Sequence, residues 1–183
     1  MKKSPWQQLP KVWPTESKYW SWVRGQLRKS WSRHPIKVEF IKSVRVKIDN
    51  PNPRGRVKKV WGIQCVRCKE HHITNNVDID HKDPAGSLLS VKDFLSFCTK
   101  LFFVSFDDLQ PLCKPCHKIV THSQRKGISE EEAESEKKAI QFIKDTTPAQ
   151  QKDFLIRAGY NEADVSNAKK RRSLLEDHFM RNE

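Results

Sequence analysis

Apolar residues recur at helical spacing early in the chain. Trp20, Val23, Leu27 and Trp31 fall on one stripe, so residues 18–34 are predicted to form a helix, with Ser17 as its cap. Arg24, Arg28, Lys29 and Arg33 occupy its other faces. Pro35 closes the segment, because the residue before a proline disfavours helical geometry. Residues 36–48 continue the helical spacing with Val38, Ile41, Val44 and Ile48 inward, although Val44 to Ile48 also alternates as a strand would. Ahead of them, Pro5, Pro10 and Pro14 argue against a helix and predict an extended arm over residues 1–17. Its Trp6 and Trp13 either cover the domain surface or stack on a bound strand.

The middle of the chain changes period. After a basic loop over residues 50–55, Val60 to Ile63 reads as a short strand. Val77-Asp78-Ile79-Asp80-His81 alternates, with Val77 and Ile79 inward, Asp78 and Asp80 on the other face, and His81 at the strand's end. Residues 88–103 predict an apolar helix burying Leu88, Val91, Phe94, Leu95, Cys98, Leu101 and Phe102. From residue 128 the pattern is helical throughout. Ser129 and Glu132 form a capping box for a helix over residues 130–144. Thr147 and Pro148 open another, which Gly159 closes, and Asn161 caps a last one carrying Val165, Ala168, Leu175 and Phe179. The run Lys169-Lys170-Arg171-Arg172 in that helix is either a nucleic-acid contact or a solvated face.

Composition narrows the function class. The 183 residues suffice for one ordinary domain with appendages, and 36% hydrophobic content makes its core modest. No apolar run approaches membrane-spanning length, and no apolar stretch follows Lys2-Lys3 as a signal peptide would require. Formal net charge is +13, and all of it lies in residues 1–64, which hold 16 Lys/Arg against 3 Asp/Glu. Such a block is the electrostatic footprint expected of a nucleic-acid binder. Arg54, Arg56, Lys58 and Lys59 join Arg24, Arg28, Lys29 and Arg33 as candidate phosphate contacts.

Four of the five cysteines form two C-x-x-C pairs, Cys65/Cys68 and Cys113/Cys116. Each pair brings two sulfurs to one turn, which suits a tetrahedral zinc ion. Thiolates of this kind fit a reducing cytoplasm better than disulfides would. His71 and His72 follow closely enough to replace a thiolate, and Cys113 to His117 also matches a haem-attachment spacing. The absence of an export signal and the second cysteine pair argue against haem. Cys98 is the odd cysteine, a small core residue.

Between the pairs stand Asp80-His81 with Pro84 close behind, then Asp108-Leu109-Gln110 leading to Leu112-Cys113-Lys114-Pro115-Cys116-His117. This order resembles the HNH nucleases, in particular the small zinc-containing, homing-type enzymes of phage genomes, over roughly residues 18 to 125. The resemblance implies an α+β fold: a ββα-metal nuclease core over residues 65–125 stapled by a four-cysteine zinc site. A basic helical DNA-binding region (18–64) would precede it and a helical appendage (128–183) would follow.

It implies His81 as the general base, and Asp80 and His117 as ligands of one catalytic Mg²⁺ or Mn²⁺. The middle position of the motif, usually Asn, falls at Asp108, with Asp107 as a second candidate. A carboxylate there can orient the imidazole of His81, but adds negative charge beside the phosphate. The expected partner is double-stranded DNA and the expected place the cytoplasm, that of the host cell if the chain is phage-encoded. Cutting both strands would need a homodimer or two successive events. Two other readings stay open. One is a zinc-ribbon DNA-binding protein without catalysis. The other is a nuclease that acts beside a partner such as a phage packaging complex.

Overall fold

The computed structural model describes residues 3–52 and 57–181, so the predicted contacts Arg54 and Arg56 lie outside the described residues. The elements are mixed helix and small antiparallel sheets, an α+β chain. It divides into two compact units, Met1–Lys114 and Pro115–Glu183.

The N-terminal arm is not extended. Pro5 opens a single helical turn, α1 (Pro5–Gln8), because a proline at the first helical position gives up only an N–H that would be unbonded anyway. Trp6 and Trp13 then pack on Tyr19, with ring centroids 5.6 and 5.2 Å apart, so both serve surface packing. Helix α2 (Glu16–Ser32) starts two residues earlier than the apolar stripe suggested. Thr15 rather than Ser17 caps it, its side chain accepting from Lys18 N–H at 3.3 Å. Trp20 and Trp31 are buried as the stripe required.

Pro35 does more than end a helix: it is the first residue of α3 (Pro35–Val44). The ambiguous stretch after it resolves into both readings, helix to Val44 and then strand β1 (Val46–Asp49). Phe40 is the buried residue of α3, whereas Val38 is 38% exposed. Strand β2 (Lys59–Gln64) pairs antiparallel with β1 on one side and with β3 (His71–Ile73) on the other. Gly62 leaves room for the Ile48 side chain, which a Cβ there would crowd.

A second, two-stranded sheet pairs β4 (Val77–His81) with β5 (Leu109–Cys113), placing His81 opposite Leu109 and Asp80 opposite Gln110. The segment between them holds α4 (Phe94–Phe102). The predicted apolar helix is shorter and turned: Phe97 and Leu101 are buried, while Val91, Phe94 and Leu95 face solvent and Cys98 is half-buried. Trp20, Trp31 and Phe40 share one core with Ile79, Leu88, Phe97, Leu101 and Leu109. The N-terminal helices are therefore packed on the β4 sheet rather than standing apart from it at residue 64.

The second unit is helical. It comprises α5 (Lys114–Lys126), α6 (Glu130–Asp145), α7 (Pro148–Arg157), α8 (Glu162–Val165) and α9 (Ala168–Arg181). Ser129 and Glu132 close the expected capping box, with Ser129 N–H on Glu132 Oε2 at 2.8 Å and Glu132 N–H on Ser129 Oγ at 3.1 Å. Gly159 takes φ +90 where α7 ends. The predicted last helix is two. Asn161 caps the short α8, and Asn167 opens α9 by accepting from Lys169 N–H at 2.8 Å. The unit's core is Ala139, Leu155, Val165 and Leu175. No described helix is long and apolar enough to cross a membrane.

Candidate metal centre and the Asp80–His81 site

Cys65, Cys68, Cys113 and Cys116 converge, their sulfurs all within 4.8 Å of one another, the only such cluster of potential ligands among the described residues. Four thiolates at the corners of a zinc tetrahedron, each about 2.3 Å from the metal, lie just under 4 Å apart. The Cys68 and Cys113 sulfurs are 4.0 Å apart. The backbone prepares the first pair for this. Lys69 turns into the left-handed region at φ 62 and returns its N–H to Cys65 O at 3.0 Å, folding the chain back over the pair. Val66 N–H bonds Pro111 O at 2.9 Å, docking the turn on β5.

The Cys65 thiol is held down to about 7. Burial pushes it up, but the N–H groups of Cys113, Cys68 and Arg67 stabilise the thiolate more. These four cysteines could hold a structural metal such as zinc. His72 lies outside the four, its Nε2 3.5 Å from Cys68 Sγ.

His81 ends β4 on the same face as Val77 and Ile79, since side chains alternate along a strand. It is only 7% exposed, so the strand end does not hand it to an open loop. Its ring packs on Trp31 with centroids 4.4 Å apart. Nε2 lies 3.1 Å from Leu101 O. A carbonyl can only accept, so Nε2 carries the proton, and the Nδ1 lone pair is the basic position. Burial, first of all, holds the imidazole below its usual 6.5, against the Leu101 carbonyl and the Asp80 charge, which favour the protonated ring; the cations Lys37 and Arg28 act with burial. His81 is thus oriented by backbone, with burial favouring its neutral form.

Asp108 does not supply that orientation. Its Oδ2 accepts from Ser105 N–H at 2.7 Å and Ser105 Oγ–H at 2.8 Å, closing a 3-10 turn over Phe106–Asp108 just ahead of β5. Those two donors hold its carboxyl below the ordinary range. Its backbone carbonyl takes Lys82 N–H at 2.9 Å, extending the β4–β5 ladder past His81. Asp107 is exposed in the same turn.

Asp80 is half-buried beside His81, and His117 is half-buried on α5 next to Cys116. Of the predicted phosphate contacts, Arg28 lies 6.0 Å over the Phe97 ring, Arg24 is half-buried, and Lys29, Arg33 and Lys58 are exposed. Lys59 pairs with Asp49 at 2.7 Å.

Two features escaped the sequence. Arg45 and Lys47 sit 4.3 and 4.1 Å from the ring centre of Trp61, which strand pairing of Lys47 with Trp61 explains only once the register is known. Lys37 is half-buried on α3, with Asp78 and Asp80 as its attractive charges; burial, the largest influence, lowers its pKa from 10.5. No family model, curated protein or solved structure matches this chain.

Proposed function

We propose that the chain is an HNH-type endonuclease that hydrolyses phosphodiester bonds of double-stranded DNA. The placement of His81 carries the reading: its Nε2 proton is tied to Leu101 O, which leaves Nδ1 as the base, with a carboxylate beside it in the chain. Support comes also from chain order. An antiparallel strand pair, β4 and β5, runs straight into α5, and the cysteine pairs bracket the strands.

Asp80 and His117 would hold Mg²⁺ or Mn²⁺, the oxygen donor suiting a hard cation. When bound, the cation supplies positive charge against the phosphate oxygens. Nδ1 of His81 takes a proton from water as the water oxygen bonds to phosphorus and the P–O3′ bond breaks; the departing 3′ oxygen takes a proton from solvent, leaving 5′-phosphate and 3′-hydroxyl ends. The basic excess of residues 1–64 holds the duplex.

The test is supercoiled plasmid with the zinc-loaded protein and Mn²⁺ or Mg²⁺, with and without EDTA. Open-circle or linear DNA with 5′-phosphate ends, formed only with free divalent cation, is the expected result. Retardation of the plasmid with no cut under any divalent cation contradicts it and favours the second reading, a DNA-binding protein without catalysis. One observation speaks for that second reading: His81 at 7% exposure also serves the core. Homing and packaging roles separate by target: a homing enzyme cuts a defined recognition site alone, and a packaging nuclease cuts only beside its partner.

A further inference from the structure

One face of the β1–β2 pair carries an arrangement that sheet packing alone does not require. Arg45 follows α3 in extended geometry, at φ -78 and ψ 141, so its side chain shares a face with those of Lys47 and Asp49. Lys47 lies directly opposite Trp61, and Asp49 directly opposite Lys59. The Arg45 guanidinium carbon stands 4.3 Å, and the Lys47 Nζ 4.1 Å, from the centre of the Trp61 ring. The indole is nevertheless 41% exposed. Two positive groups thus share one aromatic ring at the surface, each attracted by its π electrons.

Like charges this close repel, and the same face shows how a strand pair can cancel a charge: Lys59 meets Asp49 at 2.7 Å. Arg45 and Lys47 form no ion pair among the described residues. They have instead a ring that orders two long side chains without neutralising them. Arg and Lys lose rotamer freedom when they bind an anion, and a side chain already ordered loses less. The backbone steadies the ring in turn. Trp61 O accepts from Thr74 Oγ at 3.0 Å, and Ile63, next on the same face of β2, is 1% exposed. Residues two apart on a strand are separated by about 6.7 Å, a spacing that neighbouring phosphates of one DNA strand can meet. Cations over the ring compete with bases for it, which favours phosphate over base stacking as the chemistry on offer.

We propose that the Arg45–Trp61–Lys47 face is a backbone clamp for double-stranded DNA, in which both cations contact phosphates and the indole holds them in place. The proposal rests on the DNA-binding part of the reading above and holds whether or not the chain cuts. It gives the basic excess of residues 1–64 a defined contact, on the strand that leads through Gln64 into Cys65.

The full, zinc-loaded chain tests it by fluorescence anisotropy of a short labelled duplex, titrated at several salt concentrations without added Mn²⁺ or Mg²⁺. Arg45→Gln/Lys47→Gln is compared with Lys11→Gln/Lys18→Gln, which removes the same charge from exposed positions elsewhere in the basic region. Each protein is measured well below its own melting temperature, so that lost folding does not pass for lost contacts. The first variant is expected to lower the slope of log affinity against log salt by about 2, and to bind roughly 10–10²-fold more weakly at about 0.1 M salt. The second should lower the slope by less than about 0.5, its charges being screened from the duplex. Trp61→Leu keeps both cations without the ring, and should weaken binding several-fold with the slope nearly kept. Equal slopes for wild type and Arg45→Gln/Lys47→Gln overturn the proposal and leave the cations as cover for Trp61. An equal fall in the two charge variants also overturns it, since net charge alone would then account for the effect. Tighter binding of a single strand than of the duplex, lost in Trp61→Leu, overturns it in favour of base stacking. A wild type that binds no duplex removes DNA binding and the proposal together, whereas the other three outcomes leave DNA binding standing.

Discussion

At Asp108 a carboxylate stands where the resemblance leads one to expect an amide, and the reason is local. One oxygen takes two donors from Ser105 in the turn ahead of β5, while the imidazole it was expected to orient is held by Leu101 O. Asp108→Asn keeps an acceptor oxygen and should leave the plasmid cleavage rate within about tenfold, a single removed general-base contribution being far larger. Asp108→Ala should lower the melting temperature by freeing the turn. A collapse of activity in Asp108→Asn with the melting temperature unchanged would return Asp108 to the chemistry.

Arg171 shows the same local control in the other direction. In sequence it is one of four basic neighbours, a nucleic-acid contact or a solvated face. In the structure it is 7% exposed and donates to Val165 O at 3.0 Å, Ser166 O at 2.7 Å and Gln151 Oε1 at 3.4 Å. Those carbonyls face it because α8 ends at Val165, a break that no residue pattern announced. Arg171→Ala should destabilise the C-terminal unit by about 2–4 kcal/mol in urea denaturation, since charge-assisted bonds inside a fold are worth more than neutral ones. Lys170→Ala, whose partner Asp164 is exposed at 3.0 Å, should change little.

Among the elements, strand β4 and the Ser129 cap were the most legible. Val77 to His81 alternates and is a strand; Ser129 and Glu132 cap as written. Helix α4 was harder because Val91, Phe94 and Leu95 are as apolar as Phe97 and Leu101, and only the packing partner decides which face is inside. The thiolate cluster was legible from cysteine spacing, because ligand pairs are local in sequence even when they meet across 45 residues. Cys65→Ser should bind less than the roughly one zinc per chain expected of four thiolates. It should also lose its cooperative melting transition, since metal binding and folding are coupled. A zinc-free variant that melts like the wild type would contradict this.

Helices α5 and α6 are joined by Glu136, which accepts from His122 Nε2 at 2.7 Å and pairs with Lys126 at 2.5 Å. Lys126, then His122, hold its carboxyl below 4.5 against the opposing effect of burial. A carboxylate with a depressed folded pKa contributes stability that is complete above the unfolded value and disappears as pH falls through the folded one. Wild type should therefore lose more of its melting temperature below pH 4.5 than Glu136→Gln does. Parallel curves for the two would place the acid sensitivity elsewhere.

For the whole molecule, charge distribution was legible and segmentation was not. All of the +13 precedes residue 65, yet the residues that carry it belong to helices whose Trp20, Trp31 and Phe40 are packed with Ile79 and Leu109. Sequence separates a basic region from a zinc region because composition changes there. Packing joins them because the apolar stripe of α2 enters the same core as Ile79 and Leu109. That joining is what brings Trp31 of α2 onto the His81 ring, with centroids 4.4 Å apart.

The most direct measurement is therefore single-turnover nicking of supercoiled plasmid by wild type and His81→Ala, side by side near neutral pH with saturating Mn²⁺. The expected rate is about 10²–10⁴-fold lower in His81→Ala with DNA binding retained, the loss appropriate to a general base. Equal rates would contradict the nuclease reading, and would leave His81 as a core residue between Trp31 and Leu101.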